Sequence, residues 1–174
     1  MAARLNEVLQ MKDDREFTAL AEKYMDSIYR IAMNTVRCPA DAEDVTQNVL
    51  LRLYRYGPDF ESPQHAKHWL IRVTINEAKR VVSMPWRSRE ASWDGTIAEL
   101  LEGSADGSIF WKKELLQEVL RLPVKYRLPI YLYYYEGYSV KEIGRLLSRP
   151  ESTVQTQLAR GRKALRAVLE EDRP

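Results

Sequence analysis

Apolar side chains recur at steps of three and four over residues 15–36, at Phe17, Leu20, Ala21, Tyr24, Ile28, Ile31 and Ala32. That spacing puts them on one side of an α-helix, because 3.6 residues complete a turn. Cys38-Pro39-Ala40 interrupts the pattern. Asp41 is the expected N-cap of a second helix reaching about Tyr56, with Val45, Val49, Leu50, Leu53 and Tyr54 inward. Gly57-Pro58 stops that helix, and 57–65 reads as a loop. A third helix is expected from about Ala66 to Val82, with Trp69, Leu70, Val73 and Ile75 apolar.

The periodicity fades after Val82. Residues 83–108 are small and polar, with three glycines and a proline, and read as a linker. Trp86 and Trp93 are unusual in a passive tether and point to docking of the linker on a partner. Periodicity returns at Ile109, Leu115, Leu116, Val119 and Leu120. Leu122-Pro123 opens another helix reaching about Glu136, which Pro129 should kink or break. The β-propensity of Ile130–Tyr135 competes there, but a lone strand would have no partner. The expected fold class is all-α: two small helical domains, 1–82 and 109–174, joined by a flexible linker, 83–108.

The sharpest local pattern covers 138–168. Ser139 caps a helix and Glu142 completes a capping box. Val140, Ile143, Leu146 and Leu147 face inward, and Gly144 permits close approach. Ser148-Arg149 makes the turn, and Pro150 suits a first helical turn. In the second helix Val154, Leu158, Gly161, Leu165 and Val168 form the inner stripe. The opposite face carries Ser152, Thr153, Gln155, Thr156, Ala159, Arg160, Arg162 and Lys163. This is a helix-turn-helix.

Its outer face has the chemistry of base reading. Gln can bond adenine at two points and Arg can bond guanine at two points, while Thr meets a thymine methyl or a phosphate. Charge agrees: the 174-residue chain has a net charge of only +2. Residues 141–166, however, set Lys141, Arg145, Arg149, Arg160, Arg162, Lys163 and Arg166 against Glu142 and Glu151. A basic patch on a nearly neutral chain fits an anionic partner. A solvated face on an ordinary helical hairpin would share these features.

Composition removes other classes. No apolar run approaches about 18 residues, so no membrane insertion is expected. The first 17 residues lack the apolar stretch of a secretory signal. One cysteine, Cys38, excludes an internal disulfide and a cysteine-based zinc cluster. A reducing, cytoplasmic setting is expected. No catalytic residues, metal or cofactor are expected: no P-loop, dinucleotide fingerprint or nucleophile elbow is present. His65 and His68, beside Trp69, have helical spacing but no evident third ligand.

Two blocks together resemble a known family. Residues 122–165 resemble the C-terminal promoter-reading domain of extracytoplasmic-function sigma factors. DAEDVTQNVLLRLYR followed by HWLIRVTINEAKR resembles their N-terminal domain. The resemblance spans about residues 12–170. It implies that Asp41, Glu43, Asp44, Gln47, Asn48 and Arg52 dock on core RNA polymerase. It implies a −10 element site at Phe60, Glu61, Ser62 and Pro63, with Trp69, Arg72, Asn76, Lys79 and Arg80 on the following helix. For the −35 element it implies Gln155, Thr156, Ala159 and Arg160 at bases, Ser152 and Thr153 at the helix start, and Arg149 and Lys163 at phosphates.

Three positions depart from the family pattern. Arg80 stands where many members carry an acidic residue, adding positive charge near the DNA. Ser148 stands where glycine is common, so strain is expected in the turn. Arg149 replaces a common apolar residue and is expected to be exposed. The resemblance also implies an anti-sigma partner clamped between the domains. It implies that the linker threads towards the polymerase cleft, where Glu90, Asp94, Glu99, Glu102 and Asp106 would mimic nucleic acid. The alternative is a stand-alone helix-turn-helix regulator that binds duplex DNA without polymerase.

Overall fold

The structure, a computed structural model, describes residues 13–84 and 118–171. The chain divides into two compact units, Met1–Ala91 and Ser92–Pro174. The expected linker beyond residue 84, with Trp86, Trp93 and its acidic residues, lies outside the described residues, as do Ile109, Leu115 and Leu116. All regular structure among the described residues is helical.

The first unit is a bundle of α1 (Asp14–Val36), α2 (Pro39–Tyr56) and α3 (Pro63–Val82), each packed on the other two. Ile28, Ile31, Ala32 and Met33 of α1 meet Val45, Val49 and Leu53 of α2 and Leu70, Ile71 and Ile75 of α3 in a buried core. Each buried Leu or Ile contributes about 1.5–3 kcal/mol. At the α1 N-terminus the Tyr54 hydroxyl donates to Asp14 Oδ1 at 3.2 Å, and Phe17 meets the Tyr54 ring edge-on at 5.2 Å.

Two helix starts fall earlier than the polar pattern indicated, for one reason. Proline suits the first helical position, where no N–H is needed and φ is already helical. Pro39 therefore opens α2 directly after Cys38, so Asp41 lies in the first turn and is not the N-cap. Pro63 likewise opens α3, and the loop is 57–62 instead of 57–65. Ser62 is the cap, accepting from the His65 N–H at 3.1 Å. The inward face of α3 is centred on Leu70, Ile71, Thr74, Ile75, Ala78 and Val81, leaving Trp69 and Val73 half-buried.

The second unit contains a helical stretch at 118–121, then α4 (Val124–Ile130), a π turn (Tyr131–Tyr135), α5 (Val140–Leu147) and α6 (Glu151–Glu171). The tyrosine run is helical, and Pro129 is where its regularity gives way. Proline has no N–H for the i−4 carbonyl, and a π bulge is one way a helix absorbs such a defect. The Glu136 N–H then bonds the Tyr131 carbonyl, five residues back, at 3.2 Å. Gly137, at φ 75°, turns the chain into α5.

Both halves of the capping box at Ser139 and Glu142 are formed. Pro150 sits one place earlier than expected, its carbonyl accepting from Val154 N–H at 3.2 Å. Ser148 has φ 55° and ψ 51°, the left-handed conformation that glycine adopts freely. Ser148→Gly is therefore expected to raise stability by about 0.5–1 kcal/mol, read as a higher urea midpoint with unchanged slope.

Candidate nucleic-acid interface

Helix α6 separates two chemistries by its period. Val154, Leu158, Gly161 and Leu165 are buried against the rest of the second unit. Ser152, Gln155, Thr156, Ala159, Arg160, Arg162 and Lys163 are exposed, and Thr153 is half-buried. Val168 lies outside the residues whose side chains are described. The Thr156 hydroxyl donates to the Ser152 carbonyl at 2.9 Å.

Gly161 sets how closely α6 approaches α4. A Cβ there would run into Ile130 Cδ1 and lie 3.4 Å from Tyr126 Cβ. The arginines on either side of it reach tyrosines. Arg162 Nη1 donates to the Tyr134 hydroxyl at 3.2 Å. Arg160 hydrogen-bonds the Tyr126 phenol and, with Lys125, pulls its pKa below the ordinary value against the opposing effect of burial. Neither tyrosine stands out in the sequence, because their partners lie more than twenty residues away.

Arg149 departs from its expected exposure. It is half-buried, and its Nη1 donates to Gln157 Oε1 at 2.9 Å. A polar partner in the second turn of α6 lets an arginine occupy a place where an apolar residue is common. An open groove of about 480 Å³ runs beside it, lined by Lys141, Gly144, Arg145, Ser148, Pro150 and Glu151.

In the first unit the candidate polymerase residues share the outer side of α2. Glu43, Asp44, Gln47, Asn48 and Arg52 are exposed and Asp41 is half-buried, opposite buried Ala42, Val45, Val49 and Leu53. Leu51, 50% exposed, lies among them. Sequence reading missed it because its apolar character resembled that of the core. Glu43, secondary to burial, helps raise the Tyr29 pKa.

The candidate −10 residues form a loop-and-helix surface. Phe60 meets His65 edge-on at 5.5 Å and Trp69 at 5.8 Å, so the three rings form one cluster. The Tyr24 hydroxyl donates to the Pro63 carbonyl at 3.1 Å, tying the loop's end to α1. Glu61 and Ser62 are exposed, Ser62 also serving as the cap. Arg72, Asn76, Lys79 and Arg80 are exposed along α3, while Phe60 and Trp69 are half-buried.

The extra positive charge expected at Arg80 is offset locally. Its Nη2 lies 2.6 Å from Glu77 Oε1, and that hydrogen bond and charge raise the guanidinium pKa. His68 Nε2 lies 3.5 Å from Gln64 Nε2, and no cluster of three or more metal-ligating side chains occurs among the described residues. No helix among them is long and apolar enough to cross a membrane.

Comparison with known proteins gives the arrangement a family. Residues 20–88 match the family described as Sigma-70 region 2, and residues 112–165 match Sigma-70, region 4. The ECF RNA polymerase sigma factor SigW of Bacillus subtilis is 29% identical over 169 residues, covering 90% of this chain and 90% of that protein. The ECF RNA polymerase sigma-E factor of Escherichia coli K12 is 28% identical over 173 residues, covering 92% and 90%. Among solved structures, the sigma factor RpoE from Bartonella quintana, in complex with the anti-sigma factor NepR, matches with a TM-score of 0.66 at 19% identity. That match covers 91% of this chain and 99% of the other. CnrH, in complex with the cytosolic domain of CnrY, matches with a TM-score of 0.63 at 19% identity, covering 92% of each chain. These two likenesses concern the fold. With both sigma-70 regions matched in order and relatives spanning nearly the whole chain, the protein belongs to the extracytoplasmic-function group of sigma-70 RNA polymerase sigma factors.

Proposed function

We propose that the two units divide the sigma factor's work by surface. The outer face of α6 reads the −35 element: Gln155, Thr156, Ala159 and Arg160 meet base edges, with Ser152 and Thr153 at the start of the helix. Lys163 and Arg149 serve phosphates, which position the helix without choosing sequence. The Phe60–Trp69 cluster and the α3 stripe of Arg72, Asn76, Lys79 and Arg80 hold the −10 element. Melting follows from stronger binding to an extruded base than to a stacked one. The polar side of α2 docks core polymerase.

Chemistry then stays with the polymerase, and the chain is not itself an enzyme. It works in the cytoplasm, controlled by an anti-sigma factor that covers its polymerase-binding surface. Two solved neighbours are themselves complexes, one with the anti-sigma factor NepR and one with the cytosolic domain of CnrY.

The observation carrying this reading is that α6 exposes Gln155, Thr156, Ala159 and Arg160 together while burying Val154, Leu158 and Leu165. Run-off transcription with purified core polymerase on genomic fragments tests it. Defined transcripts that require the chain are expected. Tight specific duplex binding with no effect on polymerase would instead identify a stand-alone regulator. Arg160→Ala should lower −35 selectivity by about 1–3 kcal/mol, measured by competition between consensus and mutated sites. Unchanged selectivity would remove Arg160 from the base-reading set.

A further inference from the structure

The promoter and polymerase surfaces leave one buried acid unused. Glu77 falls on the inward side of α3 with Thr74, Ala78 and Val81, and its side chain is 8% exposed. A carboxylate withdrawn from water needs compensating donors. Its Oε1 receives two: Arg80 Nη2 at 2.6 Å and Asn48 Nδ2, from α2, at 3.4 Å. A single oxygen therefore holds one residue of the candidate DNA stripe and one of the candidate polymerase face.

The electrostatics favour Glu77 over DNA as the partner of Arg80. The Arg80 side chain is 55% exposed, so a phosphate arriving there is hydrated and screened by salt. The Glu77 carboxylate is already in place, largely shielded from water, in a short charge-assisted bond. Glu77 and Arg80 together bring no net charge to the DNA face. A site where the family often carries an acid thus does not become an uncompensated cation.

Resting on the reading of α3 as a DNA-facing helix, we infer that Glu77 is a positioning residue that withholds the Arg80 charge from DNA phosphates. It builds Arg80 and Asn48 into a bridge between α2 and α3. Arg72 and Lys79 remain to neutralise the backbone. Arg80 acts as a strut that holds the stripe's orientation.

The test uses holoenzyme assembled from the full chain and core polymerase, bound to promoter DNA with an unpaired −10 strand, over a range of salt concentrations. Arg72→Ala should flatten the slope of log K against log salt by about 0.7–0.9, the loss of one phosphate contact. Arg80→Ala should lower K by a similar factor at every salt concentration and leave the slope unchanged, because no phosphate contact is lost and the Glu77 carboxylate left behind stays shielded on the inward side of α3. Glu77→Gln should steepen the slope by about 0.7–0.9, since the released guanidinium can now reach a phosphate. The double variant E77Q/R80A should return to the wild-type slope.

Flattening by Arg80→Ala equal to that of Arg72→Ala, or an unchanged slope in folded Glu77→Gln, overturns the inference while the DNA-facing reading of α3 stands. If Arg72→Ala also leaves the slope unchanged, that reading fails and the inference falls with it. Should Glu77→Gln not fold, the contrast between Arg80→Ala and Arg72→Ala decides alone.

Discussion

Replacing Arg127 with alanine is expected to destabilise the second unit by roughly 3 kcal/mol or more while the first unit keeps its stability. Arg127 is 1% exposed, among the most deeply buried large side chains described. Its Nη1 donates to the Leu120 carbonyl at 3.0 Å and the Leu122 carbonyl at 2.7 Å, where the 118–121 helical stretch ends. Helix C-termini leave carbonyls without intrahelical donors, and here a guanidinium supplies them from α4. Alanine would remove these donors and open a cavity between α4 and the end of the 118–121 stretch. Amide hydrogen exchange separates the two units: protection in α4–α6 should fall by about two decades, while that in α1–α3 should not. Arg127→Lys should recover only part of the loss, because an ammonium lacks the planar array of donors. A change in the second unit below about 0.5 kcal/mol would show the guanidinium to be dispensable.

Removing either Phe60 or Trp69 is expected to slow promoter opening by about 10- to 100-fold, corresponding to roughly 1–3 kcal/mol of lost stacking on an unpaired base. The two rings lie 5.8 Å apart and 63° from parallel, with His65 completing the cluster at 5.5 Å from Phe60. Their support is local: Ser62 caps α3, and Tyr24 holds the Pro63 carbonyl. Because the rings touch, the double variant should cost less than the sum of the single ones. 2-Aminopurine fluorescence at the −10 position reports base extrusion directly. Opening should slow while binding to the −35 element stays intact. Equal losses at both elements would indicate general unfolding, and no loss would remove the rings from the base pocket.

Much of the local design is readable from residue order alone. The capping box at Ser139 and Glu142 is a short-range motif, and it forms as the spacing requires. The division of α6 into buried and exposed faces follows from the helical period. The earlier starts of α2 and α3 also follow a local rule, since Pro39 and Pro63 are both first-turn prolines. Glu77 was partly legible: it has the spacing of the inward residues of α3 and stands three residues before Arg80. Nothing in the sequence shows that Asn48, 29 positions earlier, shares its oxygen. Nothing in the sequence marks Arg127 as buried, because its burial depends on carbonyls of a preceding segment.

Residue order by itself determined the helical class, the helix-turn-helix and the residues that could face DNA, because turns, caps and periods are set by neighbours within about four positions. Tertiary structure alone decided which charges remain available. It set Asn48 of α2 against Glu77, paired Arg149 with Gln157 and Arg162 with Tyr134, and buried the Arg127 guanidinium on the Leu120 and Leu122 carbonyls. The physical reason is that a charge's strength depends on which partners and how much water packing leaves around it.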